Sequence, residues 1–231
     1  MFCNSCVYRK IIAYSGGCLN RFSWTSATLT MAKIDLTQIG KNLLKKTDSG
    51  EDIEIQSLWK GQTVVLFFLR RFGCQVCRWT AAEISKLEPD LRANNIALVG
   101  IGPEETGLHD FRELGFFKGA LYLDEKKKTY KDLGFKRYTA LSVVPAGLGK
   151  KVRAVAAKAS AQGIQGNFSG DLLQSGGMLI VAKGGEKVLL HFVQDNPGDF
   201  VPLEDISKAL GVSTNAQEGQ MPSCNDEVCT R

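Results

Sequence analysis

The apolar run Val64 to Leu69 leads directly into Cys74-Gln75-Val76-Cys77, and a helix-like stretch follows from Arg78. A continuous apolar run is the pattern of a strand covered on both faces. A strand that delivers a Cys-x-x-Cys pair to a helix N-terminus restricts the chain to α/β architectures with redox chemistry at that corner. The Cys74 sulfur then lies where unpaired N–H groups and the helix dipole favour a thiolate, which makes Cys74 the expected nucleophile. Cys77, one turn on, shares its face and is close enough to close a small disulfide, so it is placed to resolve whatever adduct Cys74 forms. Arg70, Arg71 and Arg78 flank the pair, and their charge lowers a thiol pKa further. A structural zinc half-site is the competing reading. Zinc needs a full ligand set, and between Cys77 and the C-terminal tail the chain offers no further cysteine and only His109 and His191.

The order of elements follows from periodicity. Ile34, Leu36, Ile39, Leu43 and Leu44 recur at helix-like spacing, so a helix is expected over Asp35 to Lys45, followed by a short alternating strand at Asp52 to Ile55. Trp79, Ala81, Ile84, Leu87 and Leu91 give one apolar stripe after the cysteines, with Pro89 expected to bend the helix. Ile96 to Gly102 is the next strand, and strand, long helix, strand requires a parallel right-handed crossover. A helix over Glu104 to Phe116, a strand at Ala120 to Leu123 and a short helix over Lys127 to Gly134 come next. An Ala- and Lys-rich helix over Val152 to Ala161 precedes the glycine-punctuated loop Gly163 to Gly170. Met178 to Ala182 and Val188 to Val193 form a hairpin around Gly184-Gly185, and a helix over Pro202 to Leu210 closes the domain. Parallel strands, then an antiparallel hairpin, then a terminal helix is the order of the thioredoxin fold. The expected fold is therefore α/β and thioredoxin-like, with a mixed sheet and an insertion at 145–177 before the C-terminal hairpin.

Composition bounds the rest. The chain has 231 residues, 44% hydrophobic and 23% charged, enough for one well-buried domain plus tails. The boundaries expected are a basic, disordered extension at 1–33, the domain at 34–212 and a disordered tail at 213–231. Net charge is +5, but Arg9, Lys10, Arg21 and Lys33 supply most of it, so charge gives no case for nucleic acid binding. No apolar run approaches a membrane span. Seven scattered cysteines fit a reducing compartment, and the cytoplasm is the expected location. The acid-free N-terminal segment leaves mitochondrial import as the minor alternative, with Met31 a second candidate start.

Arg70-Arg71-Phe72-Gly73-Cys74-Gln75-Val76-Cys77-Arg78-Trp79 closely resembles the active-site segment of the peroxiredoxin-like 2 family. Gly134-Phe135-Lys136-Arg137-Tyr138, the stretch Gly163 to Gly177 and Lys187 to Gln194 support the resemblance, which spans about Met31 to Val212. It implies a peroxiredoxin-like variant of the thioredoxin fold and an oxidoreductase that reduces the endoperoxide of prostaglandin H2 and its ethanolamide to F-type diols. NADPH is the implied ultimate electron donor, through thioredoxin, with no tightly bound cofactor. Cys74 and Cys77 carry over as the catalytic pair, and nothing else does. Relatives in the family are described as redox-regulatory, so a general thioredoxin-like regulator exchanging disulfides with partner proteins is the alternative. The chain departs from typical peroxiredoxins in having Phe67 and Arg71 where those carry Pro and Thr, and from thioredoxins in having Ser175-Gly176-Gly177 where those carry a cis-proline.

Other residues weigh less. Gly100-Ile101-Gly102 lacks the third glycine of a dinucleotide fingerprint and is followed by Glu104 and Glu105, so it is the end of a strand, and Gly147-Leu148-Gly149 is a shorter fragment of the same kind. His191 is expected to be structural, Glu104 and Glu105 to cap a helix, and Lys126-Lys127-Lys128 to form a solvated face. A lipid substrate would need an apolar groove, for which Phe116, Phe117, Tyr138 and Phe168 are the candidates. A metal scaffold built from Cys3, Cys6, Cys224 and Cys229 would need the two tails to meet.

Overall fold

The structure is a computed structural model and describes residues 34–139, 147 and 149–213, together with the backbone of the short strand Ile12–Ala13. The expected tails at 1–33 and 213–231, with Cys3, Cys6, Cys224 and Cys229, lie almost wholly outside the described residues. The strands are β1 (Ile12–Ala13), β2 (Leu43–Lys46), β3 (Asp52–Glu54), β4 (Thr63–Phe68), β5 (Ile96–Gly102), β6 (Ala120–Leu123), β7 (Gly177–Val181) and β8 (Val188–Val193). They form one mixed sheet in the order β1-β8-β7-β4-β5-β6-β2-β3. β4 pairs parallel with β5 and antiparallel with β7, which puts it at the centre and leaves its C-terminal end as the place where the chain must turn out of the sheet.

The helices are α1 (Leu36–Ile39), α2 (Ser57–Lys60), α3 (Gln75–Ile84), α4 (Glu88–Ala93), α5 (Leu108–Glu113), α6 (Lys128–Asp132), α7 (Lys150–Ala161) and α8 (Leu203–Leu210). Alternation along β4 sends Val65, Phe67 and Leu69 into the layer that holds α3, and Val64, Leu66 and Phe68 into the opposite layer with Tyr130 and Phe135. Burial on both faces is why β4 is an unbroken apolar run. The topology is that of the thioredoxin-like, peroxiredoxin-like fold expected from the sequence.

Two expectations are corrected. The helix expected over Asp35 to Lys45 stops at Ile39, and Leu43–Lys46 is instead a strand paired with β3 and β6. Leu44 is buried while Leu43 is half exposed, as neighbours on opposite faces of a strand are. The helix expected over Glu104 to Phe116 shrinks to Leu108–Glu113, because Gly107 enters it with φ +82. Gly176, in the segment that stands where thioredoxins carry a cis-proline, packs against the end of β4. A Cβ there would lie 2.2 Å from the Phe68 carbonyl, so the glycine lets β7 close against the end of β4.

The bend expected at Pro89 is present. A 3-10 turn, Ser85–Leu87, separates α3 from α4, and Pro89 occupies the first turn of α4, where its missing N–H costs nothing. The hairpin and the closing helix fall where periodicity put them.

Candidate active site

Cys74 is the N-cap of α3, with extended backbone (φ −72, ψ 121), and its Sγ accepts from the Cys77 backbone N–H at 3.3 Å. Both cysteines are free and buried, at 5% and 3% exposure. A hydrogen bond from the Cys77 thiol is the largest influence on Cys74, and the charges of Arg70 and Arg71 add to it, so its pKa falls to about 6 despite burial. Burial pushes the Cys77 thiol well above its ordinary value, and donating to Cys74 raises it further. The pair is therefore unsymmetrical. At neutral pH Cys74 is a thiolate, and Cys77 is a thiol that still holds its proton.

Arg70, Arg71 and Arg78 are buried around this pair, at 6%, 7% and 4% exposure. Arg70 donates from Nε to the Gln174 carbonyl (3.1 Å) and from Nη2 to that of Leu172 (3.2 Å), and stacks over Tyr138. Arg71 donates from Nη1 to the carbonyls of Asn167 and Ser169, the latter at 3.0 Å. Arg78 donates from Nε to Phe72 O (2.8 Å) and from Nη1 to Gln165 O (2.9 Å), and lies over the Phe116 ring. Among the described residues, none of the three makes an ion pair with a carboxylate.

Five of the six acceptors belong to one segment, 165–174, which crosses the corner as a strap. Asn167 N donates to Gly73 O at 2.7 Å, and Gln75 Nε2 donates to Ile164 O at 2.9 Å. Contact is close enough that a Cβ on Gly73 would lie 2.0 Å from Asn167 Oδ1, and one on Gly166 would lie 2.5 Å from Gln75 N. The far side of the strap is held by Asp171, whose carboxylate takes both Lys127 (2.6 Å) and Arg137, which draws its pKa down to about 2 against the cost of burial. The described part of the 145–177 insertion thus packs α7 beside α3 and then covers the cysteines.

The remaining candidates have other roles. His191 Nε2 lies 3.1 Å from the Leu133 carbonyl and its ring stacks on Phe135; burial lowers its pKa, as a structural histidine's would be. Glu104 does not cap a helix but accepts from Asp171 N, anchoring the strap. Lys127 binds Asp171 and Lys128 binds Asp132, so two of the three lysines are committed to ion pairs. Gly100 and Gly102 lie inside β5, and Gly102 makes room for the Phe72 ring. The four aromatic residues named as a groove do not form one. Phe116 lies beneath Arg78, Phe117 packs on Phe67, Tyr138 lies under Arg70, and Phe168 is 86% exposed on the strap. Among the described residues no cluster of His, Cys, Asp or Glu is arranged to hold a metal ion, and no helix is long and apolar enough to cross a membrane.

The sequence marks the strap segment as an insertion with a glycine-punctuated loop, but does not show that it covers the cysteines. Its one local signal is the spacing of Gly163, Gly166 and Gly170, which marks a loop whose backbone must approach another backbone closely.

The rate at which Cys74 is alkylated by iodoacetamide should rise with pH around a midpoint near 6. Cys77→Ala removes the strongest stabiliser of the thiolate and should move that midpoint up by about one pH unit or more, since a hydrogen bond to a charged group contributes about 1.5–3 kcal/mol. An unchanged midpoint would assign the depression to the arginines and the Cys77 backbone N–H.

A family profile described as AhpC/TSA antioxidant enzyme matches residues 83–196, beginning beyond the two cysteines. Prostamide/prostaglandin F synthase of Salmo salar is 78% identical over 201 residues, covering 87% of this chain and 100% of that protein. The protein of the same name from Homo sapiens is 54% identical over 198 residues, covering 86% of this chain and 100% of that one. Among solved structures, a cysteine-to-serine mutant of PrxQ from Xylella fastidiosa aligns with a TM-score of 0.50 at 10% identity, covering 75% of this chain and 89% of that one, which is a likeness of fold.

Proposed function

The chain belongs to the prostamide/prostaglandin F synthase family and is a thiol-dependent oxidoreductase, and from that premise we propose that Cys74 and Cys77 reduce the endoperoxide bridge of prostaglandin H2 and its ethanolamide to the F-type diols. The observation that carries this reading is the asymmetry of the pair, a Cys74 thiolate at the helix cap hydrogen-bonded by a Cys77 thiol.

The Cys74 thiolate attacks one oxygen of the weak O–O bond. The S–O bond forms, and the O–O electron pair leaves on the other oxygen as an alkoxide. An alkoxide is a far stronger base than a thiolate, so it takes the Cys77 proton and becomes the first hydroxyl, leaving Cys77 as the second nucleophile. Cys77 then attacks the Cys74 sulfur, breaks the S–O bond and forms the disulfide. The second alkoxide takes a proton from water. The substrate has gained two electrons and two protons, and the enzyme holds a Cys74–Cys77 disulfide.

Closing the cycle requires an external dithiol. Thioredoxin is the reductant proposed, itself reduced at the expense of NADPH, with no cofactor tightly bound to this chain. A pair that must be returned to dithiols suits a reducing compartment, so the cytoplasm is the proposed location. Burial of both sulfurs means that the strap must shift before a substrate or a thioredoxin can reach Cys74.

The test is thioredoxin-coupled NADPH oxidation with prostaglandin H2, quantifying the F-type product beside a Cys74→Ser variant. Product from the wild type and none from the variant is the expected result. No product above the spontaneous background, with the disulfide still exchanging with thioredoxin, would leave a redox-regulatory protein in place of a lipid reductase.

A further inference from the structure

Arg71 carries a donor that the fold does not use. Its Nη1 is spent on the strap carbonyls of Asn167 and Ser169, but its Nε has no hydrogen-bond partner although it is buried. Arg78 repeats the pattern, with Nε and Nη1 engaged and Nη2 buried without a partner. Native interiors keep few such groups, and each calls for an explanation. Here two of the five unpaired buried side-chain atoms among the described residues belong to arginines that act electrostatically on the cysteines.

The charge balance points the same way. Three buried guanidinium groups face one thiolate, their hydrogen-bond partners are neutral carbonyls, and the one carboxylate whose charge bears on Arg78 is that of Asp110, which forms no ion pair with it. A site with surplus buried cations and unspent N–H groups is organised for negative charge it does not yet contain. Arg71 is the member of the three that combines an unspent donor with an influence on both sulfurs. It lies between Arg70 and the Cys-x-x-Cys corner, its charge bears on the Cys74 sulfur, and its backbone N–H bears on the Cys77 sulfur. Its side-chain acceptors, Asn167 and Ser169, flank the residue whose exposed ring tops the strap, so the strap fixes the orientation of the guanidinium.

We infer that Arg71 is a further catalytic residue, whose unspent Nε–H donates to the oxygen that leaves as alkoxide when the Cys74 thiolate opens an O–O bond. Arg78, through Nη2, is the supporting donor. The inference rests on the reading that Cys74 attacks an O–O bond, and it adds the group that receives the displaced charge. The electron pair of the broken O–O bond resides on the departing oxygen, Arg71 stabilises it by hydrogen bonding without losing its own proton, and Cys77 supplies the proton that completes the hydroxyl. Arg71 therefore ends the step unchanged.

A second effect of Arg71, lowering the Cys74 pKa, must be separated from this one. The experiment is a single-turnover comparison, at a pH above the Cys74 titration, of two kinds of electrophile. Prostaglandin H2 and tert-butyl hydroperoxide expel an alkoxide, whereas neutral dithiodipyridine expels a stabilised thione and needs no oxyanion donor. Arg71→Gln is expected to slow both O–O substrates by about 100-fold, the usual cost of one oxyanion donor, and dithiodipyridine by less than about 3-fold. Arg71→Lys restores the charge but not the planar fork. It should react normally with dithiodipyridine and remain about 10-fold slow on O–O substrates, which also guards against a Gln variant that fails to fold.

Equal losses on both kinds of electrophile would overturn the inference and reduce Arg71 to an activator of the thiolate. No loss on either would make it only an anchor for the strap. If the wild type ignores prostaglandin H2 but reduces tert-butyl hydroperoxide in an Arg71-dependent way, the lipid substrate falls and the role of Arg71 stands.

Discussion

A Cys77→Ser variant mixed with one equivalent of prostaglandin H2 is expected to consume the substrate once and stop, with the opened lipid held on Cys74 as a sulfenyl ester. The serine hydroxyl replaces the thiol as donor to the Cys74 sulfur, so the nucleophile stays activated. What the serine cannot do is attack that sulfur, because an alcohol held at neutral pH is a poor nucleophile toward sulfur and forms no stable bond with it. The intact mass of the protein should rise by the mass of one substrate molecule, and steady-state turnover with thioredoxin should fall by on the order of 10³ or more, the scale of loss when one member of a concerted pair is removed. A small thiol added afterwards should release the F-type diol and restore the original mass. Unimpaired turnover in this variant would show that an external thiol resolves Cys74 directly and that Cys77 is dispensable. The distinction is sharp because the sulfurs are buried beneath the strap, so an external thiol has to reach what Cys77 already touches.

The corner could be read from the sequence because every constraint on it is local. Val64 to Leu69 must be a strand buried on both faces, Cys74 must follow it, and Cys77 must lie one turn into the helix; no distant residue is needed for any of these steps. The charge effect of Arg70 and Arg71 on the thiolate was legible for the same reason. Leu43–Lys46 was not, because Ile39, Leu43 and Leu44 fit a helical spacing, and the strand is decided by Leu123 and Tyr122, which pair with Lys45 and Lys46 from far along the chain. The strap was hidden for a deeper reason. Its backbone carbonyls gain donor partners only when three arginines from the Cys-x-x-Cys corner reach them, and nothing within Gly163 to Gly177 states that requirement. Flanking arginines suggest charge; that they are also the clasp of a covering loop is a property of the assembled fold.

Phe68 ties this corner to the opposite half of the core, and Phe68→Ala is expected to cost about 3–5 kcal/mol of stability, the range for a buried phenylalanine reduced to alanine. Phe68 is 1% exposed, with its ring edge-on to Tyr130 (5.3 Å) and to Phe135 (5.1 Å). Each edge-on pair adds about 0.5–1.5 kcal/mol beyond the area buried, so the loss should fall toward the upper end. The relaxation that softens some cavities is restricted here. Tyr130 cannot swing into the space because its hydroxyl is within hydrogen-bond reach of the Leu69 (2.7 Å) and Ile101 (2.8 Å) carbonyls, and Phe135 is stacked against His191. Urea denaturation followed by tryptophan fluorescence would measure the loss, with the slope unchanged if the unfolded state is the same. A loss below about 1.5 kcal/mol would mean that the aromatic layer repacks freely. The same variant bears on the site, since Tyr130 grips the Leu69 carbonyl immediately before Arg70. While Tyr130 keeps that hydrogen bond, β4 should still present the arginines and Cys74 correctly, and the midpoint of Cys74 alkylation should remain near 6 even as the protein becomes much easier to unfold.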